Sequence, residues 1–90
     1  MKIEVWAQCR DGTVAKKRID LPLSPFVGMK LLFRRVEGKY VEVVTYTIKD
    51  VTYDTATSEI HVDLQESPPH IEEVIQHEGD WIIEALPEDL

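Results

Sequence analysis

Lys2-Ile3-Glu4-Val5-Trp6-Ala7-Gln8-Cys9 alternates strictly, with Ile3, Val5, Ala7 and Cys9 on one side and Lys2, Glu4, Trp6 and Gln8 on the other. Successive side chains of a strand point to opposite faces, so this stretch reads as a half-buried β-strand. Arg10-Asp11-Gly12-Thr13 follows it. Asp-Gly between two alternating runs predicts a hairpin, because glycine accepts positive φ without penalty. The return strand, residues 13–21, sets Ala15, Ile19 and Leu21 on one face. Lys17 falls on that same apolar side, which predicts either a bulge or a stem that carries its ammonium to an edge.

Outward from this hairpin the period of two persists. Pro22-Leu23-Ser24-Pro25-Phe26-Val27-Gly28 turns the chain without regular pairing. Residues 29–36 then form a strand that turns through Glu37-Gly38-Lys39 into residues 40–53, a run rich in β-branched and aromatic side chains. The apolar parity of that run shifts twice: Val41 and Val43, then Val44, Tyr46 and Ile48, then Val51 and Tyr53. Such a strand is expected to bend or carry bulges. Residues 59–65 alternate again, with Ile60, Val62 and Leu64 inward. Ser67-Pro68-Pro69, Glu72, Glu73 and Gly79 fit a short helix over 69–78, with Ile71, Val74 and Ile75 buried. The rival reading is a last hairpin, 70–76 against 80–86. Trp81-Ile82-Ile83-Glu84 reads as a short terminal strand. The expected class is α+β, β-dominated: one domain over 1–90, with five to six mostly antiparallel strands in a curved sheet or small partly open barrel and one short helix near the C-terminus.

Charge is divided along the chain. Residues 1–49 carry all ten basic side chains and five acids, a balance of +5, whereas residues 50–90 carry twelve acids and no base. The net charge of −7 opposes nucleic-acid binding by bulk electrostatics, although a local basic patch acts within a Debye length of about 8–10 Å. No apolar run approaches the ~20 residues of a membrane span. One cysteine forms no internal disulfide, and a cytoplasmic protein is the expectation.

Motifs for chemistry are scarce. Cys9 shares the apolar strand face and reads as buried and inert. His61, His70 and His77 lack the adjacent-turn spacing of a metal site and read as solvated. There is no glycine-rich phosphate loop, no Cys-x-x-Cys and no His-Glu-x-x-His, so neither cofactor nor metal is expected. The basic side offers more. Lys16, Lys17 and Arg18 on the second strand and Lys30, Arg34 and Arg35 on the third are interleaved with Trp6, Phe26, Phe33 and Tyr40. Small barrels grip single-stranded nucleic acid with this combination. The alternative is that these bases pair across strands with the acidic second half. Trp6, an apolar ring on a polar face, either meets a covering layer such as the helix with Ile71 and Val74, or marks an interface. Trp6, Lys16, Arg18, Arg34, Arg35 and Tyr40 form the candidate binding patch. The acid-rich half either presents a negative face to a basic partner or serves solubility.

Pro25-Phe26-Val27-Gly28-Met29-Lys30-Leu31, followed by Val51-Thr52-Tyr53-Asp54 and Ile60-His61-Val62-Asp63-Leu64, resembles a pattern in short bacterial proteins of no assigned activity, some carried on mobile elements. The resemblance implies a bacterial origin and a compact β-rich fold; it assigns no activity and no site. The functional expectation is a small acidic binding module without a catalytic centre, an adaptor or inhibitor of a basic partner protein. The alternatives are single-stranded nucleic-acid binding through strands two and three, and a small hydrolase or metal-dependent enzyme. Open strand edges also favour a homodimer.

Overall fold

The strand hairpins expected at Asp11-Gly12 and Gly38-Lys39 both form in the computed structural model, which describes residues 1–66, 70–75 and 79–84, apart from the side chains of 35–37. β1 (Lys2–Gln8) pairs antiparallel with β2 (Val14–Asp20). Gly12 between them takes a φ of 88°, the left-handed region that glycine enters freely. β3 (Lys30–Glu37) pairs with the first half of β4 (Tyr40–Asp54), and β5 (Glu59–Leu64) with its second half. β5 then lies parallel to β1, the one parallel pair among described strands. α1 (Ile71–Ile75) follows, and β6 (Ile82–Glu84) runs antiparallel along the start of β2. The six-stranded order is β3-β4-β5-β1-β2-β6, an open mixed sheet with no closed barrel.

β4 refines the expectation of two phase changes. Its ladder with β3 runs unbroken from Lys30 opposite Thr47 to Glu37 opposite Tyr40. No bulge separates Val43 from Val44, so Val44, Tyr46 and Ile48 point inward while Val41 and Val43 point out. The second change is real: the register shifts between Ile48 and Asp50, where the strand leaves β3 for β5. β4 thus serves two partners through one irregularity.

Lys17 needs no bulge. The β1–β2 register is continuous, and Lys17 sits opposite Val5 on the inner side. Its ammonium lies 5.7 Å from the centroid of the Trp81 ring, so the apolar stem packs inward and the charge meets an aromatic face.

Among the described residues the helix covers Ile71–Ile75, inside the expected 69–78, and His70 immediately precedes it. The His70 backbone N–H donates to Glu73 Oε2 at 3.1 Å, the return half of a capping box. Residues 67–69 and 76–78, His77 among them, lie outside the described residues. The rival hairpin is excluded, because 71–75 is helical and β6 pairs with β2. Ile71 and Val74 join Ile3, Val5 and Ala7 of β1, Phe33 of β3 and Val62 of β5 in one core on the inner face. Burying a side chain of this size contributes about 1.5–3 kcal/mol. The core therefore ties α1 to strands from both hairpins.

Candidate functional site

The outer face of the sheet carries two separate groups of side chains; Trp6, Lys16 and Arg18 of the candidate patch fall in one and Arg34 in the other, while Tyr40 has the strand parity of inward-facing Val44 and Tyr46. Trp6, Lys16 and Arg18 stand on neighbouring strands, with Trp6 directly opposite Lys16 and Arg18 opposite Glu4. Arg34 and Tyr40 belong to the β3–β4 hairpin, and β5 lies between that hairpin and β1. Arg35 occupies the β3 position opposite Glu42.

In the first group Glu4, Lys16 and Arg18 around the indole all have partners. Trp6 Nε1 donates to Glu4 Oε1 at 2.6 Å. His61 of β5 stacks on the indole at 4.8 Å between centroids, and Lys16 Nζ lies 4.3 Å from the ring centroid. Lys16 Nζ also pairs with Glu84 at 2.7 Å, and Arg18 reaches Glu4 at 3.6 Å and Glu59 at 3.2 Å. Trp6 is thus covered in part by neighbours on its own face. The helix is not its covering layer, because Ile71 and Val74 join the inner core on the opposite side. Arg10 is answered in the same way: Glu72 accepts from its Nε at 2.8 Å and from its backbone N–H at 3.0 Å.

These pairs join the cationic first half to the anionic second half: Lys16 to Glu84, Arg18 to Glu59 and Arg10 to Glu72. Exposed pairs are each worth about 0–1 kcal/mol, so their main effect is to neutralise the surface they occupy. Glu72 shows the local effect, since the Arg10 hydrogen bond holds its carboxyl below the usual range.

The second group has the opposite character. On the outer face of the β3–β4 hairpin, Leu32 is 51%, Val41 60% and Val43 55% exposed, and Tyr40 beside the turn is 82% exposed. Arg34 lies on this face, directly opposite Val43, and Lys30 lies opposite Thr47. Among the described residues none of Lys30, Arg34 or Lys39 joins an ion pair. The hairpin is therefore apolar with positive charge that joins no ion pair among the described residues, whereas Lys16 and Arg18 on the β1–β2 face are both paired.

Sequence reasoning singled out Arg34 and Tyr40 on this hairpin but not the exposed Leu32, Val41 and Val43. Two signals were present. Leu31-Leu32 is an adjacent apolar pair, and neighbours on a strand face opposite ways. The step from Val43 to Val44 carried the same message, but it read as a kink.

Chemical sites are sparse among the described residues, where no group of three histidine, cysteine, aspartate or glutamate side chains is placed to hold a metal ion. A cavity of about 10 Å³ beside α1, between Ala7, Tyr46, Leu64 and Ile71, has room for one water at most. A shallow depression of about 300 Å³ along β2 sets Lys16, Lys17 and Arg18 against Glu4 and Asp80. No helix among the described residues is long and apolar enough to cross a membrane. Comparison with protein-family models, curated proteins and solved structures finds no match.

Proposed function

We propose that the protein is a non-catalytic interaction module that binds another protein through the outer face of the β3–β4 hairpin. The supporting observation is the exposure of Leu32, Val41 and Val43 on one continuous ladder beside unpaired Arg34. A contiguous exposed apolar surface costs hydration free energy in the free protein, and a partner that covers it recovers that cost. The acidic second half is the competing surface, suited to a basic partner. Glu59, Glu72 and Glu84 are already engaged by Arg18, Arg10 and Lys16, which reduces what that half offers. Binding of single-stranded nucleic acid is less favoured for two reasons. Lys16 and Arg18 are neutralised, and the hairpin face is mainly aliphatic where base stacking needs aromatic platforms.

A photo-crosslinking residue placed at Val43 in living cells tests the reading, with the same residue at exposed Thr55 as control. The expected result is one discrete protein adduct from position 43 that disappears when Leu32→Asp is added. Equal adduct patterns from both positions, or none from position 43, would refute it.

A further inference from the structure

We infer that the open edge of β3 accepts an extended, acidic segment of a partner protein as an additional strand; this rests on the hairpin being the binding surface. β3 ends the sheet, with eight residues paired to β4 on one side only. Among the described residues its backbone makes no hydrogen bond outside that ladder. An edge of this kind presents a row of unused N–H and C=O groups, the template on which strand addition builds. The opposite edge, β6, has three residues and offers far less length.

Side chains set the chemistry of the guest. Lys30, Leu32 and Arg34 alternate outward along β3, a cation, an aliphatic group and a second cation. An added strand places its own outward side chains beside these at cross-strand distance, where opposite charges attract and like charges repel. The matching segment carries carboxylates beside Lys30 and Arg34 and an aliphatic residue beside Leu32. A second copy of this chain matches poorly. Two-fold antiparallel pairing centred on Leu32 sets Lys30 against Arg34, and pairing centred on Arg34 sets it against itself. The cations that guard this edge against self-pairing are the ones that select an acidic guest.

The test uses a synthetic peptide of the same length as β3, with glutamates spaced to meet Lys30 and Arg34 and valines elsewhere. Two controls accompany it: lysine in place of each glutamate, and N-methylation of the amides that would face β3. Fluorescence anisotropy reads binding, and amide hydrogen exchange reads its location. The glutamate peptide is expected to bind at least about tenfold more tightly than either control, a difference of 1.4 kcal/mol. Binding should weaken with added salt. Exchange is expected to slow at alternate amides of β3, and Arg34→Glu to reverse the preference between the glutamate and lysine peptides. Equal binding of all three peptides, absence of binding, or protection mapped elsewhere overturns the inference. Two further outcomes also overturn it: a concentration-dependent dimer of the protein alone that protects β3, and Arg34-dependent binding of oligothymidylate in place of the peptide. A specific crosslink at Val43 without peptide binding removes strand addition and leaves docking on the hairpin face intact; failure of both removes both.

Discussion

The ring of Phe33, on edge strand β3, lies 5.7 Å from that of Trp81, which leads into β6 at the other edge of the sheet. Trp81 precedes β6 and its ring lies over the inner face of the sheet, where it reaches a side chain of β3 and leaves the far edge of that strand unpaired. Tyr46 lies 6.0 Å from Phe33, and Lys17 5.7 Å from the Trp81 ring, so the aromatic group joins β2, β3 and β4. Trp81→Ala removes the bridge and is expected to cost about 2–4 kcal/mol, less than a fully buried tryptophan because the ring is partly exposed. Trp81→Phe should cost appreciably less. It keeps the ring contact and removes an indole N–H that finds no hydrogen-bond partner among the described residues. Urea unfolding of the two variants checks this, and equal losses would show that the ring-to-ring contact does not stabilise the fold.

Two positions on β4, one on each face, should behave in opposite ways. Ile48 is 0% exposed, and Ile48→Ala is expected to cost about 2–5 kcal/mol through lost burial and the cavity it leaves. Val43 points outward, so Val43→Thr should change stability by no more than about 0.5 kcal/mol. A large loss at Val43 in thermal or denaturant unfolding would mean that the ladder is out of register by one residue.

Much of the fold was legible because period two survives wherever one face is buried, as in Ile3-Val5-Ala7 and Ile60-Val62-Leu64. The hairpin at Gly12 was equally plain, since Asp-Gly states its own turn geometry. Legibility failed where an apolar side chain faces water, because periodicity reports hydrophobicity and not burial. Val41 and Val43 look like core residues out of phase, when they are surface residues in phase. The parallel pairing of β1 with β5 is set by long-range packing and leaves no local mark. The candidate patch is divided for a related reason: Arg18 and Arg34 are close in the sequence, but strand order carries them to different parts of the sheet. His61 as the stacking partner of Trp6 could be found only once the β1–β5 register was known.

Cys9 closes the inner face of the first hairpin and is 4% exposed. Burial pushes its thiol pKa upward; the Thr13 hydrogen bond opposes this in part, and the nearby Glu72 and Asp11 carboxylates add smaller upward pushes. The reactive thiolate is therefore scarce and shielded at neutral pH. Labelling with a disulfide reagent should run at least about tenfold slower in the native protein than in urea-unfolded chain. It should also accelerate in step with the unfolding transition. Native labelling as fast as that of the unfolded chain would mean that Cys9 is open to solvent.

Glu72 ties α1 to the first hairpin by accepting from Arg10 Nε and from the Arg10 backbone N–H. The Arg10 hydrogen bond lowers its carboxyl pKa, whereas in the unfolded chain it should titrate near the ordinary value of about 4.3. A carboxyl that binds its proton less readily when folded stabilises the fold fully above its unfolded pKa, and that contribution disappears as pH falls through the lower, folded value. Asp54, lowered by the backbone N–H groups of Thr57 and Ala56, and Asp11, lowered by the Thr13 hydroxyl, act in the same direction. Glu72→Gln should be less stable than the parent protein at neutral pH by a fraction of a kcal/mol, the usual scale for a solvent-screened pair. The two proteins should converge as the pH drops below about 4, because the parent then carries a neutral carboxyl at the same place. Denaturant midpoints measured for both from neutral to strongly acidic pH trace the gap, and one that stays constant or widens on acidification would show that the Arg10–Glu72 pair contributes nothing through its charge.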